Sequence, residues 1–459
     1  MKGGFIHKLL VDKPWLGLVI LFFAMPIIVL VLLGGSPVLT DFSITPEQRK
    51  AFSQGLEQQG QHHFGNDVSG GLVGSPGPTY NDSRSQKTAT RDDGKYACAM
   101  CCLHYTICNV NIVYLVECNY AKGKWIADEK RPLYSGYECK QWLPKKYNCG
   151  GMGRTDLSFE SYRWQPHGCE MPEVSGPNFL NRMRHKTLAF IGDSLGRQQF
   201  MSMMCIATGG KRSREVEDVG WKYGLDKAPH ARRTEGWAYR FPGTNTTVLF
   251  YWSPSLCELE PLTNTTRSAK SYALHLDRPE RFLKKYLHCF DTLVLNTGHH
   301  WNKERFSINR WKLYADGKPL GNGTLPEDLG PFRNLKLRNI ARWLDSELVH
   351  RPHMKVFLRT NSPRHFLHGD WNTGGSCNST TPLSGGSEVL DDHSSDLPAE
   401  HAVIGTRVKL LDITSISQLR SEGHIAHHTF KSLSAKYDCS HWCLPGIPDM
   451  WNEILFAQI

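Results

Sequence analysis

Two stretches of the chain carry residue types that could do covalent chemistry together. The first is Thr187 to Phe200, TLAFIGDSLGRQQF, where an apolar run stops at Gly192 and helical spacing begins, so that Ser194 falls on a strand-to-helix elbow. Such a turn holds a serine oxygen clear of the sheet and leaves backbone N–H groups at the helix start for a developing oxyanion. The same residues also suit a plain N-cap by Asp193 or Ser194. The second stretch, Tyr437 to Cys443, reads YDCSHWC and offers a carboxylate, Asp438, and an imidazole, His441. Three positions apart on one face of a helical turn, Asp438 would reach the ring nitrogen remote from Ser194 and orient His441 as the base of a Ser-His-Asp set for acyl transfer. An Asp-x-x-His pair is common in a chain with 21 histidines, and its weight comes from the elbow and from the flanking Cys439 and Cys443.

Other candidates surround the elbow. The backbone N–H of Ser194 is one oxyanion donor, and Asn296 or the Gly298 amide could add a second. Gly192, Asp193 and Arg197 complete the candidate contacts, with Arg197 either binding substrate or capping nearby carbonyls. No Gly-rich phosphate cradle and no cluster with metal-ligand spacing stands out, so the site is read as holding neither metal nor bound cofactor. An acyl donor would arrive as a substrate.

The elements that must position these groups are strands at 187–191, 247–252, 292–296, 356–360 and 408–413, with helical spacing at 195–207, 281–288 and 334–350. Strands separated by helices predict an α/β fold with a parallel sheet, whose reactive groups gather at the carboxyl ends of the strands. Ser194 lies just past the first strand and Asn296 to Trp301 just past the third, so the two should meet at one edge.

The remainder of the 459 residues places that domain. Residues 15–35 form an apolar run of the length that crosses a bilayer, preceded by Lys2, Lys8 and Lys13, which predicts a cytoplasmic tail (1–14) and an uncleaved type II anchor with everything beyond it in the lumen. A cleaved signal peptide is the rival, but the run is long for one. Residues 36–117 read as a stem rich in Gly, Ser, Gln, Asn and Asp. Within it, 96–117 is apolar, carries Cys98, Cys101, Cys102 and Cys108, and fits no simple pattern; a second span there would return the rest of the chain to the cytosol. That is at odds with 14 cysteines and with sequons at Asn81, Asn245, Asn264, Asn322 and Asn378, which together indicate an oxidising, glycosylating compartment.

Residues 118–185 are dense in Trp, Tyr, Gly and Pro and read as irregular structure stapled by disulfides, beside a main part spanning 186–459. Trp125, Tyr134, Trp142, Tyr147, Tyr162 and Trp164, near Arg154, Asp156 and Arg163, either stack on sugar rings or fill the core of this lobe. The formal net charge of +10 would steer a polymer bearing uronic acids toward the protein, or simply keep it soluble. No RNA-type aromatic motif accompanies the scattered basic residues, which argues against nucleic acid.

The GDS and DxxH motifs at Ser194 and His441 resemble those of the plant trichome-birefringence-like family within the SGNH/GDSL esterase-like group. The resemblance runs from Cys118 to Ile459. It includes Gly123-Lys124-Trp125, Pro132-Leu133-Tyr134, Arg163-Trp164-Gln165-Pro166, Arg359-Thr360, His365-Phe366, Gly374-Gly375-Ser376-Cys377 and Leu444-Pro445-Gly446-Ile447-Pro448-Asp449. It departs at Thr155, where Pro is common, at Tyr162, where Trp is common, and at Gln198, where Asn is frequent. The resemblance implies an SGNH-like catalytic domain in a Golgi O-acetyltransferase acting on cell-wall polysaccharide, most often xylan, with an acetyl donor such as acetyl-CoA as co-substrate. A polysaccharide acetyl-esterase and a non-catalytic, pectin-binding wall protein are the alternatives. It also implies that Cys118, Cys139, Cys169 and Cys205 staple the region around the elbow, while Cys377, Cys439 and Cys443 tie down the loop bearing His441.

Overall fold

The computed structural model describes residues 118–226, 235–262, 271–321, 324–377, 387–426 and 437–459. The apolar run at 15–35, the stem, the 96–117 segment and the sequons at Asn81, Asn264, Asn322 and Asn378 lie outside the described residues. Among the described residues no helix is long and apolar enough to cross a membrane. Asn245 is exposed in a turn.

Two strands organise the aromatic segment. β1 (Gly123–Ala127) and β2 (Tyr162–Pro166) pair antiparallel with Trp125 opposite Trp164, and this register sets the two rings edge to face at 5.7 Å. Trp125, Tyr134, Trp142, Tyr147 and Trp164 are all buried, in the apolar cluster that also covers one face of the main sheet. Their burial decides between the two readings of this lobe: these five rings are core, and none of them is free to stack on a sugar. Tyr162 is half-buried and lies against the Arg420 guanidinium at 4.3 Å.

The main sheet follows from a strand that is apolar on consecutive positions. In β3 (Thr187–Gly192), Leu188 and Phe190 face one side while Ala189 and Ile191 face the other, and all four are buried. A strand buried on both faces must lie in a sheet covered on both sides. With β4 (Glu217–Asp218), β5 (Gly236–Phe241), β6 (Thr246–Trp252), β9 (Thr292–Asn296), β12 (Lys355–Arg359) and β14 (Lys409–Leu411), it forms a seven-stranded sheet in the order β14-β12-β9-β3-β6-β5-β4. The helices that follow the chain are α1 (Gly176–Arg182), α2 (Ser194–Thr208), α3 (Arg281–Tyr286), α4 (Lys303–Asn309), α5 (Gly330–Leu348), α6 (Leu397–Val403), α7 (Thr414–Gln418) and α8 (Ile447–Gln458). Residues of α2 and α8 share a cluster with Leu188 and Phe190, and residues of α3, α5 and α6 share one with Ala189 and Ile191.

The expected all-parallel sheet is corrected at one edge. The five strands from β14 to β6 are parallel, but β5 runs antiparallel to β6 and β4 antiparallel to β5. The reason is local. Phe241 pairs with Thr246 across a short turn, and a turn of that length can only reverse the chain. A second sheet, β11-β10-β8-β7, was not evident in the periodicity; it is built from β7 (Cys257–Leu262), β8 (Ser271–Pro279), β10 (Trp311–Ala315) and β11 (Lys318–Pro319). In the main sheet the chain passes from β3 to the far edge at β4, steps back through β5 to β6 beside β3, and later enters β9 on the other side of β3. The crevice at such a reversal is where groups after two neighbouring strands can face one another.

Among the described residues there are four disulfides: Cys118–Cys169 lies within the lobe, Cys377–Cys439 within the main part, and Cys139–Cys205 and Cys149–Cys443 join the two. The cysteines singled out for the elbow and for the base-bearing loop are all paired, and the partner of Cys443 is Cys149, 294 residues earlier. Peptide mapping under non-reducing conditions is expected to recover the Cys149–Cys443 pair. Cys149→Ser should cost about 2–5 kcal/mol in chemical denaturation; an unchanged midpoint would show that the link carries no stability.

Candidate active site

The elbow is fixed from below by one side chain. Asp193 caps α2 by accepting from the Leu195 amide at 2.9 Å, and its carboxylate also accepts from Asn296 Nδ2 at 2.6 Å. Asn296 ends β9 and lies between Gly192 and Gly196; a Cβ at either glycine would stand 2.0 Å from its Oδ1. Glycine at both positions is therefore required by close approach, and the spacing Gly-Asp-Ser-Leu-Gly follows from one buried asparagine. Burial opposes the charge on Asp193, but the imidazoles of His299 and His300 when protonated, the Arg359 guanidinium and the bond from the Leu195 amide hold its carboxyl below the ordinary value.

Ser194, the first residue of α2, meets the second stretch directly. Its Oγ lies 2.7 Å from His441 Nε2, and His441 Nδ1 lies 2.9 Å from both carboxylate oxygens of Asp438. A carboxylate only accepts, so Nδ1 carries the proton and Nε2 is left to accept from the serine hydroxyl. Asp438 also receives the backbone N–H of Ser440 at 3.3 Å and of His441 at 3.1 Å. Burial would raise its pKa, but His441 and these bonds hold it well below the usual range. The helical turn expected here is corrected: Asp438 and His441 lie on β16 (Asp438–Trp442), paired with β15 (His424–Ala426) through an irregular register. The carboxylate reaches the ring because its Oδ1 folds back onto the amides of Ser440 and His441, closing a local turn that propensity alone does not reveal.

Helix and strand are held together by Gln198. Its Nε2 donates to the Trp442 carbonyl at 2.7 Å and its Oε1 accepts from the Trp442 amide at 3.1 Å, with the side chain wholly buried. One turn past Ser194 and one residue past His441, this amide acts as a short piece of sheet between them. Arg359, at the end of β12, adds a second tie by donating to the Leu195 carbonyl and to Gln199 Oε1, both at 3.3 Å, while its guanidinium covers the Trp451 ring at 4.5 Å. His424 stacks on Trp442 at 3.8 Å and shares a 2.9 Å bond with the His441 carbonyl, with its Nδ1 as donor.

The other candidates have defined surroundings. Arg197 donates to the Tyr147 hydroxyl at 3.3 Å and lies 5.7 Å from the Trp252 ring centre, while the Tyr147 ring is 5.9 Å from that of His441. Arg197, Tyr147 and Trp252 thus form an aromatic and cationic wall beside the serine. Asn296 directs its amide to Asp193, a scaffold contact, and Gly298 packs on the Asn361 side chain, 2.2 Å from where a Cβ would be. The backbone N–H of Ser194 lies in the first turn of α2, where helix amides have no intrahelical acceptor. Sequence reasoning placed Tyr147 in the aromatic lobe without relating it to His441, and it missed Gln198 as a clamp, His299 and His424. Only the His-His pair just beyond β9 offered a signal.

Truncating the clamp should separate the two halves of the site without emptying it. Gln198→Ala is expected to lower kcat by about tenfold to a hundredfold with little change in KM, the pattern of misplaced reacting groups. Equal loss in both constants, or none, would remove that role. His299 allows a pH test. Its Nε2 donates to the Ser362 carbonyl at 2.7 Å, and burial pushes its pKa down to about 4. Because the folded value lies below that of a free imidazole, about 6.5, its contribution to stability is complete above that pH and is lost as pH falls toward 4. Glu160 and Asp449, which burial raises to about 7 and about 6, act in the opposite sense. A titration of ring resonances isolates His299: it should remain neutral at pH 5, and a midpoint near 6.5 would contradict the burial argument.

The comparisons with known proteins converge on one family. A profile described as "GDSL/SGNH-like Acyl-Esterase family found in Pmr5 and Cas1p" matches residues 171–458, and the PMR5 N terminal domain matches residues 116–170. Protein trichome birefringence-like 14 of Arabidopsis thaliana is 55% identical over 354 residues, covering 74% of this chain and 86% of the relative. Protein trichome birefringence-like 15 of the same plant is 50% identical over 365 residues, covering 76% and 72%. Xylan O-acetyltransferase 12 of Oryza sativa subsp. japonica is 28% identical over 376 residues, covering 75% and 69%. With the elbow, the paired cysteines and both profiles in agreement, the chain belongs to the trichome birefringence-like family, its PMR5 N-terminal segment leading into a GDSL/SGNH-like acyl-esterase domain.

Proposed function

We propose that the protein is a polysaccharide O-acetyltransferase in which Ser194 carries the acetyl group between donor and acceptor. The observation that carries this reading is the chain of contacts from Ser194 Oγ through His441 to Asp438, at 2.7 and 2.9 Å. His441 takes the serine proton as Oγ attacks the donor's acetyl carbonyl, and the Ser194 amide faces the oxyanion. The donor's leaving group departs with that proton, and an acetyl ester remains on Ser194. An acceptor hydroxyl then gives its proton to His441 as its oxygen attacks the ester, and the proton returns to Ser194. Asp438 holds the ring in the required tautomer throughout.

A relative named as a xylan O-acetyltransferase supports xylan as the acceptor and acetyl as the group transferred. The apolar run at 15–35, the lysines before it and the sequons after it support a type II anchor with the catalytic domain in the Golgi lumen. The burial of the five aromatic rings of the minor lobe weighs against a purely wall-binding protein, since those rings are committed to the core.

The test incubates the full chain with an acetyl donor and defined wall oligosaccharides and follows mass gain on acceptor and protein. Ser194→Ala should abolish the acetyl-protein species and lower transfer by a factor of at least about 10³, His441→Ala should do nearly the same, and Asp438→Asn should leave more activity than either. Loss of acetyl from a preacetylated oligosaccharide, with no transfer, would make the protein an esterase. Unchanged transfer by Ser194→Ala would end the covalent mechanism.

A further inference from the structure

Beside the elbow lies a cavity of about 370 Å³ that no step of the mechanism uses. It opens where β6 leaves the main sheet and is closed on its far side by Tyr272 and Trp311 of the second sheet. Trp252 is the wall it shares with the serine: this residue pairs with Gly192 in the ladder, and the next residue, Ser253, donates its amide to the Gly192 carbonyl at 2.8 Å. One side of the Trp252 ring system faces Arg197 at 5.7 Å, and the His300 ring meets it nearly perpendicular at 5.6 Å. The cavity is therefore one side chain away from the reacting oxygen.

Its lining has an unusual balance. The Ser253 hydroxyl and His300 Nδ1 are buried polar atoms without a partner, and Ser253 is only 2% exposed. Buried polar atoms normally find partners, so Ser253 and His300 keep spare hydrogen-bonding capacity beside the cavity they line, which a side-chain rotation would present to a ligand's hydroxyls. Two carboxylates, Glu235 and Glu280, also line it; neither forms an ion pair with a cation among the described residues, and no lysine or arginine lines the cavity. Glu280 accepts the Arg281 amide at 3.0 Å, which leaves acceptor capacity on its carboxylate. Aromatic faces, hydroxyl-bearing side chains and two carboxylates that have no ion-pair partner among the described residues suit a ligand with C–H faces and several hydroxyls and no charge of its own.

We propose that this cavity is a subsite for a neutral pyranose unit of the acceptor, and that it excludes uronate units next to the hydroxyl being modified. The proposal rests on the glycan-acceptor reading above and adds to it a place and a selection rule. The local field opposes the chain's overall positive charge, so a uronate-bearing polymer attracted from a distance would still present an uncharged residue here.

Binding of a neutral xylo-oligosaccharide and of one of equal length carrying glucuronate is measured by calorimetry on the full chain without donor, so that no turnover occurs. Tyr272→Ala and Trp252→Leu should each weaken the neutral ligand on the order of tenfold. The pair Glu235→Gln with Glu280→Gln should leave the neutral ligand bound and tighten the charged one by a similar factor. Unchanged neutral binding in both aromatic variants, with native melting curves, would overturn the subsite. A charged ligand that already binds more tightly than the neutral one, and gains nothing from the glutamine pair, would overturn the selection rule. Because no donor is present, loss of acetyl transfer in a separate assay would leave these results standing, and intact transfer with no cavity dependence would sink the subsite alone.

Discussion

One side-chain amide makes the site a single object. Ser194 and His441 are separated by 247 residues of sequence, and the strand bearing the base pairs with one short strand, β15, rather than with the main sheet. Such a strand has no reason of its own to stand at a fixed height above the helix. Gln198 supplies one, because its donor and acceptor close on the donor and acceptor of the same residue, Trp442, in a region without water to compete. Each bond is worth only about 1 kcal/mol net, but leaving any of these four buried groups unpaired would cost about 1–3 kcal/mol. The arrangement is therefore stiff mainly because its alternatives are expensive. The disulfides at Cys439 and Cys443 act in the same direction from either side of His441.

Buried charge is the second constraint. Asp193 lies under the elbow at 1% exposure, surrounded by the partial and full charges of Leu195, Asn296, His299, His300 and Arg359. A carboxylate cannot stay ionised in such a place unless it is bonded, and the bonds it makes are the ones that shape the turn. Nearby, Lys336 is wholly buried, donates to the Thr297 hydroxyl at 2.9 Å and covers the Trp301 ring at 4.1 Å. Burial lowers its pKa to about 7, far below that of a free lysine amine. The loop after β9, which carries Asn296 to Trp301, is thus fastened at both ends by groups whose charge the interior controls.

The minor lobe and the sheet are one hydrophobic body. Tyr134 and Ser202 both donate to Asp449 of α8, at 2.7 and 2.5 Å, while the Gly446 amide donates to its other oxygen at 2.7 Å. Arg154 reaches from the lobe to the carbonyls of Glu422 and His424, at 2.6 and 2.9 Å, and so holds β15 behind the base. The lobe's aromatics and arginines thus serve the geometry of Ser194 and His441 from behind.

The amino-acid sequence by itself determined the elements and their chemistry. The consecutive apolar residues of 187–191 can only be satisfied between two covered faces, Gly192 and Ser194 mark the change from strand to helix, and the helices at 195–207 and 334–350 were legible from spacing, because these are local properties. Ser194, Asp438 and His441 were legible as types at fixed spacings. Only the tertiary structure decided what lies next to what. The antiparallel edge of the sheet came from a turn whose length mattered more than the helical alternation elsewhere, and the local turn around Asp438 came from backbone hydrogen bonds that no periodicity records. The partner of Cys443, the use of Asn296 against two glycines, and the clamp by Gln198 all depend on contacts across 100 residues or more. Long-range contacts of that kind are set by how covered faces pack, and the chain's order carries that information only once it is folded.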